Sequence, residues 1–197
     1  MVTAIILAAG ESRRMQTPKA LLKIGDETFG ECIARKCNEA GIPVIYVVTG
    51  AHREEIQQQM KNKYELDFIF NFRYPEGQLS SLKEGLRNLP TGSSAALIWP
   101  VDQPLVQVET VQLLLKQHAA ARKHVTIPVY DSKHGHPVVY DVAAIHTALS
   151  LKNSQTAKEL QTIYANDLLL VNVSDEGVIR DIDTPGDYQK YITSAGS

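Results

Sequence analysis

The sequence predicts an α/β fold: a Rossmann-like, three-layer α/β/α arrangement around a mostly parallel sheet, with an antiparallel ribbon attached. Three observations predict it. Short charge-free runs rich in β-branched residues, Ala4-Ile5-Ile6-Leu7-Ala8 and Val44-Ile45-Tyr46-Val47-Val48 among them, read as buried strands. Between them lie segments whose apolar residues recur at helical spacing, and strands that alternate with helices imply a parallel sheet with right-handed crossovers. The stretch from Val125 to Tyr140 breaks that alternation, because only the turn Asp131–Gly135 separates its two apolar runs, the spacing of an antiparallel pair.

The elements follow in order. After the first strand, Ala20 to Ile24 is short and apolar, and Gly25-Asp26 turns the chain. Phe29, Ile33, Cys37 and Ala40 mark a helix that Gly41 ends, and Pro43 opens the strand Val44–Val48, stopped by Thr49-Gly50. Arg53 to Lys63 is polar except for Ile56 and Met60, four apart, which predicts a surface helix. Asp67–Phe70 is a third strand, and the long loop Asn71–Leu82 feeds a helix over Ser81–Leu89. A fourth strand starts at Ala95 and runs through Ile98 towards Asp102, and Val108–Arg122 is a helix. After the ribbon come helices at Val142–Leu149 and Ala157–Ile163, a last strand at Leu168–Val173, a final helix at Gly186–Thr193 and a frayed tail from Ser194. Open parallel sheets bind ligands outside the carboxyl ends of their strands. The loops after Leu7, Val48, Phe70 and Ile98 are therefore expected to share one rim.

Composition narrows the function. A chain of 197 residues, 44% hydrophobic, suits one domain spanning 1–197 with a sizeable core. A net charge of −2 argues against a nucleic-acid-binding surface, so any recognition of anions must be local. The two cysteines, Cys32 and Cys37, fall inside a predicted helix and form no CxxC pair, which suits buried thiols in a cytoplasmic protein. The N-terminal apolar run is too short for a membrane span and lacks a basic leader, so neither a membrane nor secretion is expected.

Chemistry concentrates in the loops. Small residues, Ala8-Ala9-Gly10, end the first strand, and Arg13, Arg14 and Lys19 follow within ten residues. Gly10 can take a positive φ, backbone N–H groups there can face an anion, and the cations supply charge, so the loop suits a polyphosphate. It is neither GxxxxGK[ST] nor GxGxxG. In the third loop Gly77 permits close approach, and Ser80 or Ser81 can cap the following helix, whose N-terminus favours acceptors. Asp102, between two prolines, stands where the sheet presents its ligand; a carboxylate there can hold Mg2+ on phosphate oxygens or simply cap the next helix. His134-x-His136 can be read as a metal pair or as a turn, and His118 as a helix-side histidine. Thr184 or Asp187 can cap the last helix.

These motifs together resemble a known family. LAAG-x-S-x-RM-x-x-PKALL is similar to the signature loop of the molybdenum cofactor (molybdopterin) cytidylyltransferases and guanylyltransferases, which load a nucleotide onto molybdopterin. Gly77-x-x-Ser80-Ser81-Leu82-x-x-Gly85-Leu86, Asp102-Gln103-Pro104-Leu105, Gly135-His136-Pro137 and Asp181-Ile182-Asp183-Thr184-Pro185 resemble four further motifs in the expected order. The resemblance covers Val2 to Tyr188 and implies a fold of the nucleotide-diphospho-sugar transferase type.

It also implies residue roles. The Leu7-Ala8-Ala9-Gly10 backbone, Gly77, Ser80 and Ser81 would meet the nucleotide. Arg14 and Lys19 would neutralise its triphosphate, Asp102 and Asp183 would share Mg2+, and Gly135-His136 would shape the acceptor side. Ala9 leans towards CTP, since LAAG resembles the cytidylyltransferases and LAGG the guanylyltransferases. The implied partners are CTP or GTP, a phosphorylated pterin, and a molybdoenzyme. Two departures stand out: Gln16 replaces the usual Gly after the Met, and Asn153-Ser154-Gln155-Thr156-Ala157-Lys158 replaces a Gly-Asp-x-Gly-Ala-Arg stretch. A GTP-dependent enzyme, a sugar- or alditol-phosphate nucleotidyltransferase, a dinucleotide-binding oxidoreductase and a non-catalytic nucleotide-binding partner of a molybdoenzyme are the rival readings.

Overall fold

A computed structural model describes residues 1–60, 64–152 and 154–193. Along the chain its elements are β1 (Val2–Ala8), β2 (Lys23–Ile24), β3 (Glu27–Thr28), α1 (Phe29–Glu39), β4 (Val44–Thr49), α2 (Arg53–Met60) and β5 (Leu66–Phe70). Then come α3 (Gln78–Arg87), β6 (Ala95–Pro100), α4 (Val108–Ala121), β7 (Val125–Tyr130), β8 (Lys133–His134) and β9 (Val138–Asp141). The chain ends with α5 (Val142–Ser150), α6 (Glu159–Ile163), β10 (Leu168–Asn172) and α7 (Pro185–Tyr188). The expected extension of α2 to Lys63, the residue Asn153 and the tail from Ser194 lie outside the described residues.

The main sheet runs β10-β7-β9-β6-β1-β4-β5. β1 pairs in parallel with β4 and β6, β4 with β5, and β7 with β10. Every second residue of β1 faces the same layer. Ala4, Ile6 and Ala8 pack with residues of α1, α2 and α4, whereas Ile5 and Leu7 pack with residues of α3, α5 and α6. The β1 run lacks a polar face because helices cover both of its sides. The capping box of Thr28 and Glu31 starts α1, and both its thiols, Cys32 and Cys37, are free and buried. Among the described residues no helix is long and apolar enough to cross a membrane.

The ribbon sits differently from the expected appendage. β9 lies inside the sheet, antiparallel to both β6 and β7. Only the two-residue strand β8 pairs with β7 off the main path. Because β9 runs against its neighbours, with Val138 opposite Ile98 and Asp141 opposite Ala95, its first residues lie at the carboxyl end of β6. The loop that carries His136 is thereby delivered to the same rim as the loops after β1, β4, β5 and β6. At the other end of the chain, α7 passes directly into a π-helical turn over Gln189–Thr193, where one regular helix was expected.

Candidate active site at the sheet rim

The loop after β1 folds on itself through Ser12. Its carbonyl accepts from the N–H groups of Met15 (2.9 Å) and Gln16 (3.0 Å), and its Oγ accepts from the Lys19 N–H at 3.0 Å. A turn of 3-10 helix over Lys19–Leu21, with Ala20 and Leu21 buried, then anchors the stem of Lys19 in the core. The freedom expected of Gly10 is not used. The left-handed residues are Ser12 (φ 51°) and Gln16 (φ 58°), and a Cβ on Gly10 would meet open space. The αL geometry of Gln16 gives a physical reason for the glycine usual at that place in the family the sequence resembles.

Lys19 Nζ donates to Asp102 Oδ2 at 2.8 Å and makes a second, shorter contact to Asp183 Oδ1. Arg14 Nη2 reaches Asp183 Oδ2 at 2.8 Å from the solvent side, and Arg13, more exposed, pairs with Glu11 at the outer lip. Three segments far apart in sequence thus meet at one ammonium. Burial works against the charge on Lys19, but Asp102 and Asp183 outweigh it and raise its pKa above the ordinary lysine value. Partial burial likewise opposes charge on Asp183, yet Lys19 and Arg14 hold its pKa below the usual carboxylate range. Asp181, nearby, is pushed up chiefly by burial, with Asp102 and Asp183 adding to the effect while a 2.6 Å bond from Gln103 Nε2 opposes it.

Asp102 does not cap the next helix. α4 starts at Val108 with Gln107 as its N-cap residue, and the carboxylate at that end is Asp175, which accepts from the Gln107 N–H at 2.7 Å and from Thr110 Oγ1 at 2.8 Å. Thr184 and Asp187 do cap α7, in a reciprocal capping box, and that leaves the Asp183 carboxylate to Lys19 and Arg14. The backbone of Asp102 is tied to the C-terminal segment as well, since its carbonyl accepts from the Ile182 N–H at 2.8 Å.

The third loop corrects an expectation. α3 begins at Gln78, three residues before the expected start, and its N-cap is Gly77 at φ 103°, with no side-chain cap. Ser80 and Ser81 lie inside the first turn instead. Both accept from Asn71 Nδ2, at 2.8 and 3.0 Å, and Ser80 Oγ also lies 2.9 Å from the Arg73 carbonyl and 2.8 Å from that of Gly77. The serines fasten the loop to the helix.

A cleft of about 330 Å³ opens among these groups. The strand end Leu7–Gly10 forms one wall, Arg14, Lys19, Asp102 and Asp183 supply its charge, and Gly77 and Ser81 border it, while Ser80 does not. Ser12, Tyr74 and Gln78 also line it. Of these, Ser12 belongs to the first-loop motif, while Tyr74 and Gln78 carry no sequence signal beyond their place in a rim loop.

A second cleft of about 310 Å³ adjoins the first, sharing Leu7, Gly77 and Gln78. His136 lines it, as do Ser154, Gln155, Thr156 and Ala157, so the departure over 153–158 meets the acceptor motif there. Burial lowers the His136 pKa, and Asp102 opposes that shift. Gly135 lines neither cleft; a Cβ there would run into the Val178 carbonyl, so the glycine lets the C-terminal segment pass. His134 and His136 are no metal pair, because His134 is exposed and its Nδ1 lies 2.9 Å from Gln161 Oε1. His118 bonds Thr126 Oγ1 at 2.8 Å, away from both clefts.

Two hard carboxylates converging on one cation form a donor set that suits Mg2+ or a similar ion, because Asp102 and Asp183 oxygens already face a shared positive charge. Among the described residues no group of three or more His, Cys, Asp or Glu is placed to hold a metal unaided, so remaining positions would fall to water and ligand oxygens.

Residues 4–168 match the family described as the MobA-like NTP transferase domain. The chain is 24% identical over 187 residues to the molybdenum cofactor cytidylyltransferase of Escherichia coli (strain K12), covering 95% of this chain and 93% of that protein. It is 30% identical over 193 residues to the nicotine blue oxidoreductase of Paenarthrobacter nicotinovorans, covering 93% and 92%. Among solved structures, Rv0371c of Mycobacterium tuberculosis H37Rv superposes with a TM-score of 0.83 at 22% identity, over 98% of this chain and 97% of that one. The same protein has been solved in complex with manganese.

Proposed function

Because the chain belongs to the MobA-like NTP transferase domain family, we propose that it transfers a nucleoside monophosphate, CMP favoured, from its triphosphate to the terminal phosphate of molybdopterin, releasing pyrophosphate. The observation that carries this reading is the sharing of Lys19 by Asp102 and Asp183 at the mouth of a cleft walled by Leu7–Gly10.

A terminal phosphate is already ionised at neutral pH, so the attack on the α-phosphorus needs neither a general base nor a nucleophilic side chain. It needs alignment and charge neutralisation. Lys19 and Arg14 neutralise the triphosphate, and the backbone of Leu7, Ala8 and Ala9 meets the base. Asp102 and Asp183 would hold Mg2+, which when bound supplies charge stabilisation to the phosphate oxygens. With the carboxylates engaged by the ion, the Lys19 ammonium would be released to the phosphates, its stem fixed by the buried turn beneath it. The acceptor body takes the second cleft beside His136. Ala9 favours cytosine, as in the cytidylyltransferases its motif resembles.

A second reading, an oxidoreductase, is favoured by the relative from Paenarthrobacter nicotinovorans. Against it stand the missing GxGxxG and the end of β4, which is Thr49-Gly50 where a dinucleotide fold needs an acidic residue. One screen separates them: thermal unfolding with each of the four triphosphates, with and without Mg2+, and with NAD. CTP with Mg2+ is expected to raise the midpoint most and NAD to leave it unmoved, with pyrophosphate released when molybdopterin is added. Asp102→Asn is expected to abolish the magnesium-dependent activity. Stabilisation by NAD without any by a triphosphate reverses the assignment.

A further inference from the structure

We infer that Tyr74 is the aromatic wall on which the nucleotide base stacks, a base-binding residue acting beside the Leu7–Ala9 backbone; this rests on the nucleotidyltransferase reading. Among the described residues that line the charged cleft, Tyr74 is the only aromatic one. The charged groups are committed to phosphates and metal. A flat, weakly polar base is left with the uncharged part of the lining, which includes Leu7, Ala8, Ala9, Tyr74 and Gly77.

The placement of the ring is built in. Its root rests on Gly50, where an added Cβ would come within 2.7 Å of both Tyr74 Cβ and Cγ and would also strike the Ala9 carbonyl. The Ala51 N–H donates to that same carbonyl at 3.3 Å, so the end of β1, the loop after β4 and Tyr74 are packed as one layer. Tyr74 lines the same cleft as Arg13, Arg14 and Lys19, so the ring borders the space beside the cations. The turn that carries Tyr74 is tied down by hydrogen bonds. Its N–H donates to the Asn71 carbonyl at 3.3 Å, its carbonyl accepts from the Gly77 N–H at 3.1 Å, and the Asn71 side chain is bonded to Ser80 and Ser81 of α3. A wall fixed before binding loses little entropy when a base settles on it.

The test compares binding of CTP, GTP and inorganic tripolyphosphate, each with Mg2+, to the wild type, Tyr74→Ala and Tyr74→Phe by calorimetry. Stacking of a base on an aromatic ring makes the expected loss in Tyr74→Ala about tenfold or more for the preferred nucleotide. Tripolyphosphate affinity is expected to stay unchanged, and Tyr74→Phe to keep nucleotide affinity. An unchanged nucleotide affinity in Tyr74→Ala overturns the assignment. So does an equal loss for tripolyphosphate, which marks Tyr74 as structural support, or a Phe variant as weak as Ala, which makes the hydroxyl the determinant. A wild type that binds tripolyphosphate but neither nucleotide sinks the enzymatic reading, and the Tyr74 assignment with it. Nucleotide binding that ignores Tyr74 sinks the latter alone.

Discussion

Lys19 holds together two carboxylates that would otherwise repel each other, and its side chain is only 15% exposed. The pH dependence of this contact follows from the two shifts. Asp183 has its folded pKa below the unfolded value, so its contribution is present above about pH 4 and is lost as pH falls through the folded pKa. Lys19 has its folded pKa raised, so its contribution is fully present below about pH 10.4 and is lost as pH rises beyond the folded pKa. Lys19→Ala is therefore expected to fold, to lose about 1–2 kcal/mol of stability across the neutral range, discounted for the part-exposed partners, and to approach the wild type at both pH extremes. Urea titrations at pH 3, 7 and 11 measure that gap, and a gap as wide at pH 3 as at pH 7 removes Asp183 from the account. Nucleotidyl transfer by the same variant should fall more than tenfold; normal turnover would take the lysine out of the mechanism.

At the scale of elements, α3 couples sheet packing to the cleft. Gly85 lets the helix lie against the sheet: an added Cβ would stand 2.7 Å from Ile5 Cγ2 and 3.1 Å from Val48 Cγ2. Gly85→Ala gains about 1 kcal/mol of helix propensity but overpacks an interface at a cost of about 1–3 kcal/mol. The expected outcome is a lower unfolding midpoint together with weaker CTP binding, because the displaced helix carries Gly77, Gln78 and Ser81 at its front. A stabilised variant with unchanged affinity would show that the helix adapts without moving the cleft. The strands that hold this helix were legible because β1, β4 and β6 are buried on both faces and read as uninterrupted apolar runs. The start of α3 was not. Ser80 and Ser81 look like caps in any local window, and the side chain they share as a partner is that of Asn71, nine and ten residues away. The place of β9 was hidden for a related reason: alternation announces a strand but leaves its neighbours open, and Val139 pairs with Leu97 of β6 as well as with Thr126 of the adjacent hairpin arm.

Over the whole molecule, the C-terminal segment assembles the candidate site. Lys19 lies 83 residues from Asp102 and 164 from Asp183, so no local pattern could show that they meet; only the order of motifs and the rule for sheet rims suggested it. What closes the arrangement is a series of bonds back along the rim. Asp175, 4% exposed, accepts from Gln107, Thr110 and the Gly177 N–H; the Val178 carbonyl accepts from the His136 N–H at 2.9 Å; and the Ile182 N–H reaches the Asp102 carbonyl. The segment thereby fixes Asp183 relative to both Asp102 and the second cleft. Asp175→Ala strips three donors of their acceptor and takes an anion from the N-terminus of α4, a loss expected to cost about 2–4 kcal/mol. If the segment positions Asp183, the variant must also lose part of the extra stability that CTP with Mg2+ confers, measured as the difference in unfolding midpoint with and without ligand. Thr110→Val, which removes only one of the three donors, should keep that difference. A midpoint that drops in Asp175→Ala while the ligand-induced increment stays whole would mean that Lys19 and Arg14 alone hold Asp183 in place.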